Sequence, residues 1–155
     1  MANDYKHLAA SWFEEIWNKG RREAIREMLQ PDAVIHEGSH VSTGPEGFEP
    51  FFDRMQNTFS GVRITINDLI GEGNKVVVRW TARMNHTGPG LGFAPTGKAA
   101  EATGMSVIRF APDGKIAEAW QNWDMMAVVA QLQAAPAAPL YIAAADPDKR
   151  AQGAS

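Results

Sequence analysis

The chain has 155 residues, 45% of them hydrophobic and 21% charged, with a formal net charge of -3 at pH 7. This length and composition predict one folded domain with a hydrophobic core and exclude general disorder. Lysine and arginine are scattered, which excludes a basic surface for nucleic acid, and the absence of cysteine excludes disulfides, thiolate catalysis and cysteine-bound metals.

The N-terminal residues carry the pattern of two helices and a strand. Apolar side chains recur at helical spacing between residues 4 and 19, and Gly20 stands where a helix commonly ends. A second, shorter helix is predicted for Arg21–Leu29, because Pro31 would stop it. A strand is then expected at Ala33–Glu37.

A third helix is predicted to begin after Thr43. The sequence Thr43-Gly-Pro-Glu46 combines a capping threonine, a proline suited to the first turn and a glutamate three residues after the threonine. An apolar face follows at helical spacing, formed by Phe48, Phe51, Phe52, Met55 and Phe59. This helix should therefore bury one broad side.

Beyond the third helix the apolar period changes to two, which indicates strands. Residues alternate from Val62 to Asn67, and Gly71–Asn74 is a predicted turn. The elements predicted next are strands at about Val76–His86, Ala102–Phe110 and Lys115–Trp123 and a helix at Met125–Gln133. Residues 134–155 are rich in alanine and proline and are predicted to form an extended or partly disordered tail, so the domain is expected at residues 1–133.

Four short segments, in this order and spacing, carry a resemblance to a known family. They are Gly44–Phe48, His86–Gly88 with Pro95–Lys98, Gly114–Ile116 with Glu118 and Trp120, and Asp124 ahead of Gln131 and Leu132. Over about residues 5–133 the chain resembles the SnoaL-like polyketide cyclase and ester cyclase branch of the nuclear-transport-factor-2-like superfamily. The resemblance implies an α+β fold, in which a curved, mostly antiparallel sheet forms a cone-shaped half-barrel closed by N-terminal helices. It also implies a homodimer formed through the sheet.

The last predicted strand suggests a catalytic acid. Ile116, Glu118, Trp120, Asn122 and Asp124 share one face of that strand. If this face looks into the cone, Asp124 lies at the strand end against an aromatic wall, where burial would raise its pKa and suit it to acid/base chemistry. The resemblance implies that Asp124 moves the proton in an intramolecular ring closure. The alternative is that Asp124 only caps the following helix.

Two histidines are further candidates for the same chemistry. His86 follows the apolar side chains of its strand in phase, so it is expected at the cavity wall, where an imidazole can exchange a proton with a carboxylate. The alternative is that His86 only binds the turn that begins at Gly88. His36 matches a histidine of the ester cyclase branch, and whether it faces the cavity stays open at this point.

These residues favour a cofactor-independent enzyme that performs cyclisation, isomerisation, dehydration or epoxide opening on a small hydrophobic substrate. Two alternatives stay open: a non-catalytic binder of a small apolar metabolite, and a structural dimerisation module whose cavity is filled by side chains. The side chains predicted to contact the substrate are Trp120, Trp80, Asn122, Met84, Met105, Phe51 and Met55.

Two short strings suggest cofactors, but neither has the required context. His36-Glu-Gly-Ser-His40 has the spacing of a zinc protease motif, which works on a helix, whereas a strand leads into it here. Gly88-Pro-Gly-Leu-Gly92 precedes Pro95 rather than a helix that could hold a pyrophosphate. We therefore predict no metal and no cofactor. The first residues lack a secretion signal and no run approaches the roughly 18 apolar residues that cross a bilayer, so a cytoplasmic protein without a membrane partner is expected.

Overall fold

Helices occupy mostly the N-terminal part of the chain and long strands the C-terminal part; the computed structural model describes residues 4–134. The α-helices are α1 (Tyr5–Trp12), α2 (Ala24–Met28), α3 (Gly44–Thr58) and α4 (Met125–Gln133). The strands are β1 (Leu29–Glu37), β2 (His40–Thr43), β3 (Phe59–Glu72), β4 (Lys75–His86), β5 (Ala99–Phe110) and β6 (Ile116–Trp123). Apart from Ala134, the predicted tail lies outside the described residues. Within residues 4–134, no helix is long and apolar enough to cross a membrane.

All six strands belong to one curved, unclosed sheet in the order β2-β1-β6-β5-β4-β3. Neighbouring strands are antiparallel except β1 and β6, which run parallel. One face of the sheet packs against the helices, and the buried cluster between them joins Trp12 and Phe48 of the helices to Val78 and Ile108 of the strands. This architecture confirms the predicted α+β fold class with a curved, mostly antiparallel sheet.

The N-terminal helix changes its geometry halfway. α1 begins after Asp4, whose carboxylate accepts a hydrogen bond at 3.1 Å from a backbone N–H of the first turn. Phe13–Asn18 then continues as a π-helix instead of the single α-helix expected for residues 4–19. The wider turn of a π-helix lets the adjacent residues Ile16 and Trp17 both enter the core, where both are buried.

The region between the first and third helices differs from the prediction. α2 is shorter than expected, and β1 already begins at Leu29, so Pro31 lies within a strand instead of ending a helix. The β1–β6 register is irregular between Leu29 and Val34, where the proline has no N–H for a ladder hydrogen bond. The prediction lacks β2, which forms a hairpin with β1; its residues are mostly exposed, so no buried face marks this strand in the sequence.

Even-numbered residues of β4 and β5 form the inner face of the sheet. In the adjacent ladders, Trp80 pairs with Gly104, and Gly104 pairs with Trp123. A Cβ atom on Gly104 would overlap the Trp80 indole. Glycine at this position therefore leaves the space that the indole occupies.

Candidate functional site

A cavity of about 50 Å³ lies between the inner face of the sheet and the helices. Its wall is almost entirely aromatic and aliphatic, and Gln121 is the one lining residue with an amide, hydroxyl or charged side chain. A space of this size holds roughly four water molecules, so a larger ligand requires side chains of the wall to move. Four residues predicted to contact a substrate lie in this wall, namely Phe51, Met55, Trp80 and Met84.

The register of β6 shows that most of the residues predicted to point into the cavity point away from it. Gln121 pairs with the inner-face residue Ser106, so the odd-numbered residues in the second half of β6 face the cavity. Phe110 pairs with Ile116, whereas the preceding residue of β5 pairs with Glu118, which leaves one residue of β6 unpaired. Ile116 therefore points inward as predicted, but this bulge reverses the parity of every residue after it.

The predicted inward placement of Trp120, Asn122 and Met105 is wrong, because all three lie on the outer face. Asn122 pairs with Met105 across the β5–β6 ladder, and Met105 is 57% exposed. Trp120 stacks on His36, with ring centroids 5.1 Å apart and ring planes 2° from parallel. These residues therefore lie on the side of the sheet away from the cavity.

His36 lies on the same outer face, which answers the question, left open by the sequence, of whether it faces the cavity. His36 and Trp120 are partners in the β1–β6 ladder. The His36 Nε2 atom lies 2.8 Å from one carboxylate oxygen of Glu118, and Arg109 donates to the other oxygen at 3.2 Å. The hydrogen bonds from His36 and Arg109 hold the pKa of Glu118 below its ordinary value. His36 therefore belongs to an outer-face cluster of polar and aromatic groups.

Asp124 caps α4, and its predicted placement in the cavity is wrong. Its carboxylate accepts the backbone N–H of Ala127 at 2.9 Å, and the residue is exposed to solvent. The physical reason is the bulge in β6, which turns the even-numbered residues outward. The helix-cap alternative is therefore the correct description of this side chain.

His86 is buried on the inner face, as its phase on β4 predicted. Its Nδ1 atom accepts the backbone N–H of Thr96 at 3.1 Å, so a neutral ring carries its hydrogen on Nε2. The Nε2 atom is buried without a hydrogen-bond partner in the described part of the chain. The rings of Phe59 and Phe93 surround the imidazole, with centroids 6.0 and 5.3 Å away. His86 thus lies behind the cavity wall and fixes the segment that follows β4.

Glu37 is a carboxylate next to Gln121, which lines the cavity, and it was not predicted as a site residue. It ends β1 and pairs with Gln121 in the parallel β1–β6 ladder, so both residues share the inner face. Ile35, two residues earlier on the same face, is only 4% exposed. The Glu37 Oε1 atom is buried and has no hydrogen-bond partner within residues 4–134. An unpartnered buried carboxylate oxygen is costly, so it calls for a functional explanation.

The surroundings of Glu37 bring its proton equilibrium close to neutral pH. Burial raises the pKa of Glu37 from its ordinary value of 4.5 to about 7, and the nearby positive charge of Arg54 opposes that rise. Arg54 belongs to α3, and its guanidinium lies 5.7 Å from the ring centroid of Phe51, which lines the cavity. A carboxyl group with this pKa beside an apolar cavity is suited to donate and accept protons.

Gln121 provides the polar part of the cavity wall. The indole N–H of Trp80 donates to Ser106 Oγ at 3.1 Å, and the Ser106 hydroxyl donates to Gln121 Oε1 at 3.4 Å. Gln121 was not predicted as a site residue, because the alternation along β6 favoured an outward position for its odd-numbered residues. The pairing of Gln121 with Ser106 across the β5–β6 ladder corrects that assignment.

The string from His36 to His40 spans the β1–β2 hairpin instead of a helix. Glu37 pairs with His40, and His36 pairs with Val41, so the two imidazoles point to opposite faces of the hairpin. In the part of the chain that is described, no group of three or more histidine, aspartate and glutamate side chains could hold a metal ion. The zinc spacing in the sequence therefore does not correspond to a zinc geometry.

Several solved structures are similar to this chain. AclR from Streptomyces galilaeus, named as a candidate hydroxylase, has a TM-score of 0.77 and 22% identity over 88% of this chain and 85% of that chain. TsrD from Streptomyces laurentii has a TM-score of 0.75 and 24% identity over 87% of this chain and 99% of that chain. IdmH from Streptomyces antibioticus, named as a candidate polyketide cyclase, has a TM-score of 0.73 and 30% identity over 85% of this chain and 100% of that chain.

The likeness to AclR and TsrD supports the cone-shaped fold alone, because the sequence identities are low. No curated protein matches the sequence. The sequence profile of the SnoaL-like polyketide cyclase family matches residues 7–132, almost the whole described part of the chain. The chain therefore belongs to the SnoaL-like polyketide cyclase family.

Proposed function

We propose that the protein is a cofactor-independent enzyme that performs acid/base chemistry on a small hydrophobic molecule bound in the cavity. The observation that carries this proposal is Glu37, a largely buried carboxyl group with an unpartnered oxygen next to Gln121, which lines an otherwise apolar cavity. Cyclisation, isomerisation, dehydration and epoxide opening each need a positioned acid or base in a site that excludes water. Membership of the family supports this class of reaction.

Glu37 is the proposed catalytic residue. Because its pKa is about 7, both the carboxylate and the carboxylic acid are populated near neutral pH. The same group can therefore remove a proton from the substrate and return it to another atom. The geometry does not support the catalytic roles predicted for Asp124 and His36, whose side chains lie away from the cavity, and His86 supports the structure behind its wall.

The apolar wall is the proposed binding surface for the rest of the substrate. Phe51, Met55, Trp80 and Met84 present aromatic rings and thioether groups to the cavity. Such side chains bind flat unsaturated molecules through apolar burial and through contacts with polarisable sulfur and aromatic faces. The wall therefore favours a compact unsaturated or cyclic ligand.

Non-catalytic binding of a small apolar metabolite is a second candidate function. The observation that favours it is the wall, in which Gln121 alone provides an amide, hydroxyl or charged side chain. A binder needs only such a surface and no proton transfer. This alternative predicts that a ligand recovered from the wild-type protein is chemically unchanged and that Glu37→Gln does not alter its fate.

We also propose that the outer face of the sheet binds a second copy of this chain. Met105 is 57% exposed and Val77 is 36% exposed, and Val107 pairs with both Val77 and Trp120 in the neighbouring ladders. An apolar patch in the middle of a sheet face is typical of a protein interface. Light scattering should show a wild-type dimer and a Met105→Glu monomer; a wild-type monomer or an intact variant dimer would contradict the proposal.

The catalytic proposal is tested by measuring turnover of a panel of enones, β-hydroxyketones and epoxides. Glu37→Gln keeps the size and shape of the side chain but cannot exchange a proton, so we expect its rate to fall by about 100-fold or more. Glu118→Gln is the matched control, because it removes a carboxylate from the outer face of the adjacent strand. Full turnover by Glu37→Gln, or no turnover of any panel member by the wild type, contradicts the proposal.

A further inference from the structure

The hydrogen bonds around Gln121 leave one side of its amide free. An indole N–H can only donate, so Trp80 occupies a lone pair of Ser106 Oγ. The single hydrogen of the serine hydroxyl is then available for Gln121 Oε1. If the amide were turned around, its NH₂ group would face the serine and the serine hydrogen would lose this acceptor. The amide oxygen therefore faces Ser106, and the amide nitrogen faces away from it.

The two supporting side chains are parts of the core. Ser106 is 3% exposed and Trp80 is 4% exposed, so water cannot readily replace either partner. Gly104, which pairs with Trp80, leaves the indole the space it needs in this position. The packing of β4, β5 and β6 consequently fixes the orientation of the Gln121 amide.

The residue that carries this free amide nitrogen lies next to Glu37, whose carboxyl group has an unpartnered oxygen. The two residues are partners in the β1–β6 ladder. No hydrogen bond joins their side chains, and within residues 4–134 neither the Gln121 amide nitrogen nor Glu37 Oε1 has another partner. A ligand with an acceptor oxygen next to an acidic hydrogen would satisfy both groups at once. An apolar ketone with hydrogen on the carbon next to its carbonyl has this arrangement.

We propose that Gln121 binds the carbonyl oxygen of a small apolar ketone and that Trp80 and Ser106 hold its amide in the donating orientation. This inference rests on the proposed function and names its substrate class. The Glu37 carboxylate removes a hydrogen ion from the α-carbon, the C–H electron pair becomes a carbon–carbon double bond, and the carbonyl π pair moves onto oxygen. Gln121 stabilises that oxygen, and Glu37 returns the proton to it or to another carbon, so no co-reactant is consumed.

The test compares the binding of α-tetralone with that of its exocyclic methylene analogue by titration calorimetry. The two molecules have nearly the same shape, but only the ketone has an acceptor oxygen. The titrations are carried out well above pH 7, where Glu37 is ionised and cannot donate. We expect the wild type to prefer the ketone by between about twofold and tenfold, the effect of one neutral hydrogen bond. Equal affinities for the two ligands would overturn the inference.

Variants separate the carbonyl contact from general damage to the cavity. Gln121→Leu should lose the preference for the ketone, whereas Asn122→Leu, which removes an amide from the outer face of the same strand, should keep it. Ser106→Ala should weaken the preference without changing the affinity for the methylene analogue, which reports an intact cavity. A preference that survives in Gln121→Leu contradicts the inference. Because binding requires no turnover, this result is independent of whether Glu37 transfers a proton.

Discussion

Glu37, at the end of β1, and Gln121, in β6, are partners in the one parallel ladder among the described strands. Partners in a ladder share a face of the sheet, so the carboxyl-bearing residue lies beside an amide-bearing residue that lines an apolar cavity. These residues lie far apart in the sequence, and the pairing of an N-terminal strand with a C-terminal strand brings them together. The proposed chemistry therefore depends on this junction in the sheet.

Glu37→Gln should stabilise the protein at alkaline pH. The pKa of Glu37 is about 7 in the folded state against an ordinary value of 4.5, so between these values the folded state holds a proton that the unfolded state has lost. Wild-type stability therefore falls as pH rises through this window, by at most about 3.4 kcal/mol at 1.36 kcal/mol per pKa unit. Glutamine removes this dependence.

Urea unfolding of both proteins below pH 4.5 and above pH 7 measures this effect. We expect Glu37→Gln to gain about 2 kcal/mol relative to the wild type between the acidic and the alkaline condition. A variant that loses stability with rising pH as steeply as the wild type would show that Glu37 is not desolvated in the folded protein.

Asp124 should contribute to stability but not to turnover. Its carboxylate caps α4 through the backbone N–H of Ala127, so Asp124→Ala should lower the free energy of unfolding by about 1 kcal/mol. Asp124→Asn retains a good capping side chain and should cost less. Both variants should keep the wild-type rate on any substrate that the enzyme converts. A large loss of rate in Asp124→Asn, at unchanged stability, would show that this residue takes part in the reaction.

Gly104→Ala should displace the Trp80 indole, because a Cβ atom at this position overlaps the ring. We expect a loss of about 1–3 kcal/mol in the free energy of unfolding and a shift in tryptophan emission. Gly71→Ala is the matched control, because the three atoms nearest to a Cβ atom there all belong to the flexible side chain of Lys6. Equal stability of the two alanine variants would contradict the close packing between Gly104 and Trp80.

Much of the fold follows from periodicity and turn chemistry in the sequence. Alternation of apolar residues located β4, and the capping pattern at Thr43–Glu46 located the start of α3. The exposed strand β2 escaped prediction because burial, which creates the periodic signal, is nearly absent from it. The π-helix at Phe13–Asn18 also escaped, because helical spacing does not separate it from a regular helix.

The site was harder to predict, because one unpaired residue in β6 determines which side chains of that strand face the cavity. The bulge after Ile116 leaves no mark in the alternation of β6, yet it moves Trp120 outward and Gln121 inward. Glu37 had a usable signal, since Ala33 and Ile35 precede it at strand spacing on a buried face. Its position between His36 and His40 instead suggested a zinc motif. The alternation within one strand did not predict which residues face the cavity, whereas the pairing between strands shows it.

The pH dependence of proton transfer tests the central claim about Glu37 most directly. Exchange of the α-hydrogens of α-tetralone for deuterium should rise in the wild type with a midpoint at about pH 7, as the carboxylate forms. Arg54→Gln removes the positive charge that lowers the pKa of Glu37, so its midpoint should move to higher pH. Glu37→Gln should show no such rise. A wild-type profile that is unchanged by both substitutions would contradict the assignment of Glu37 as the acid/base group.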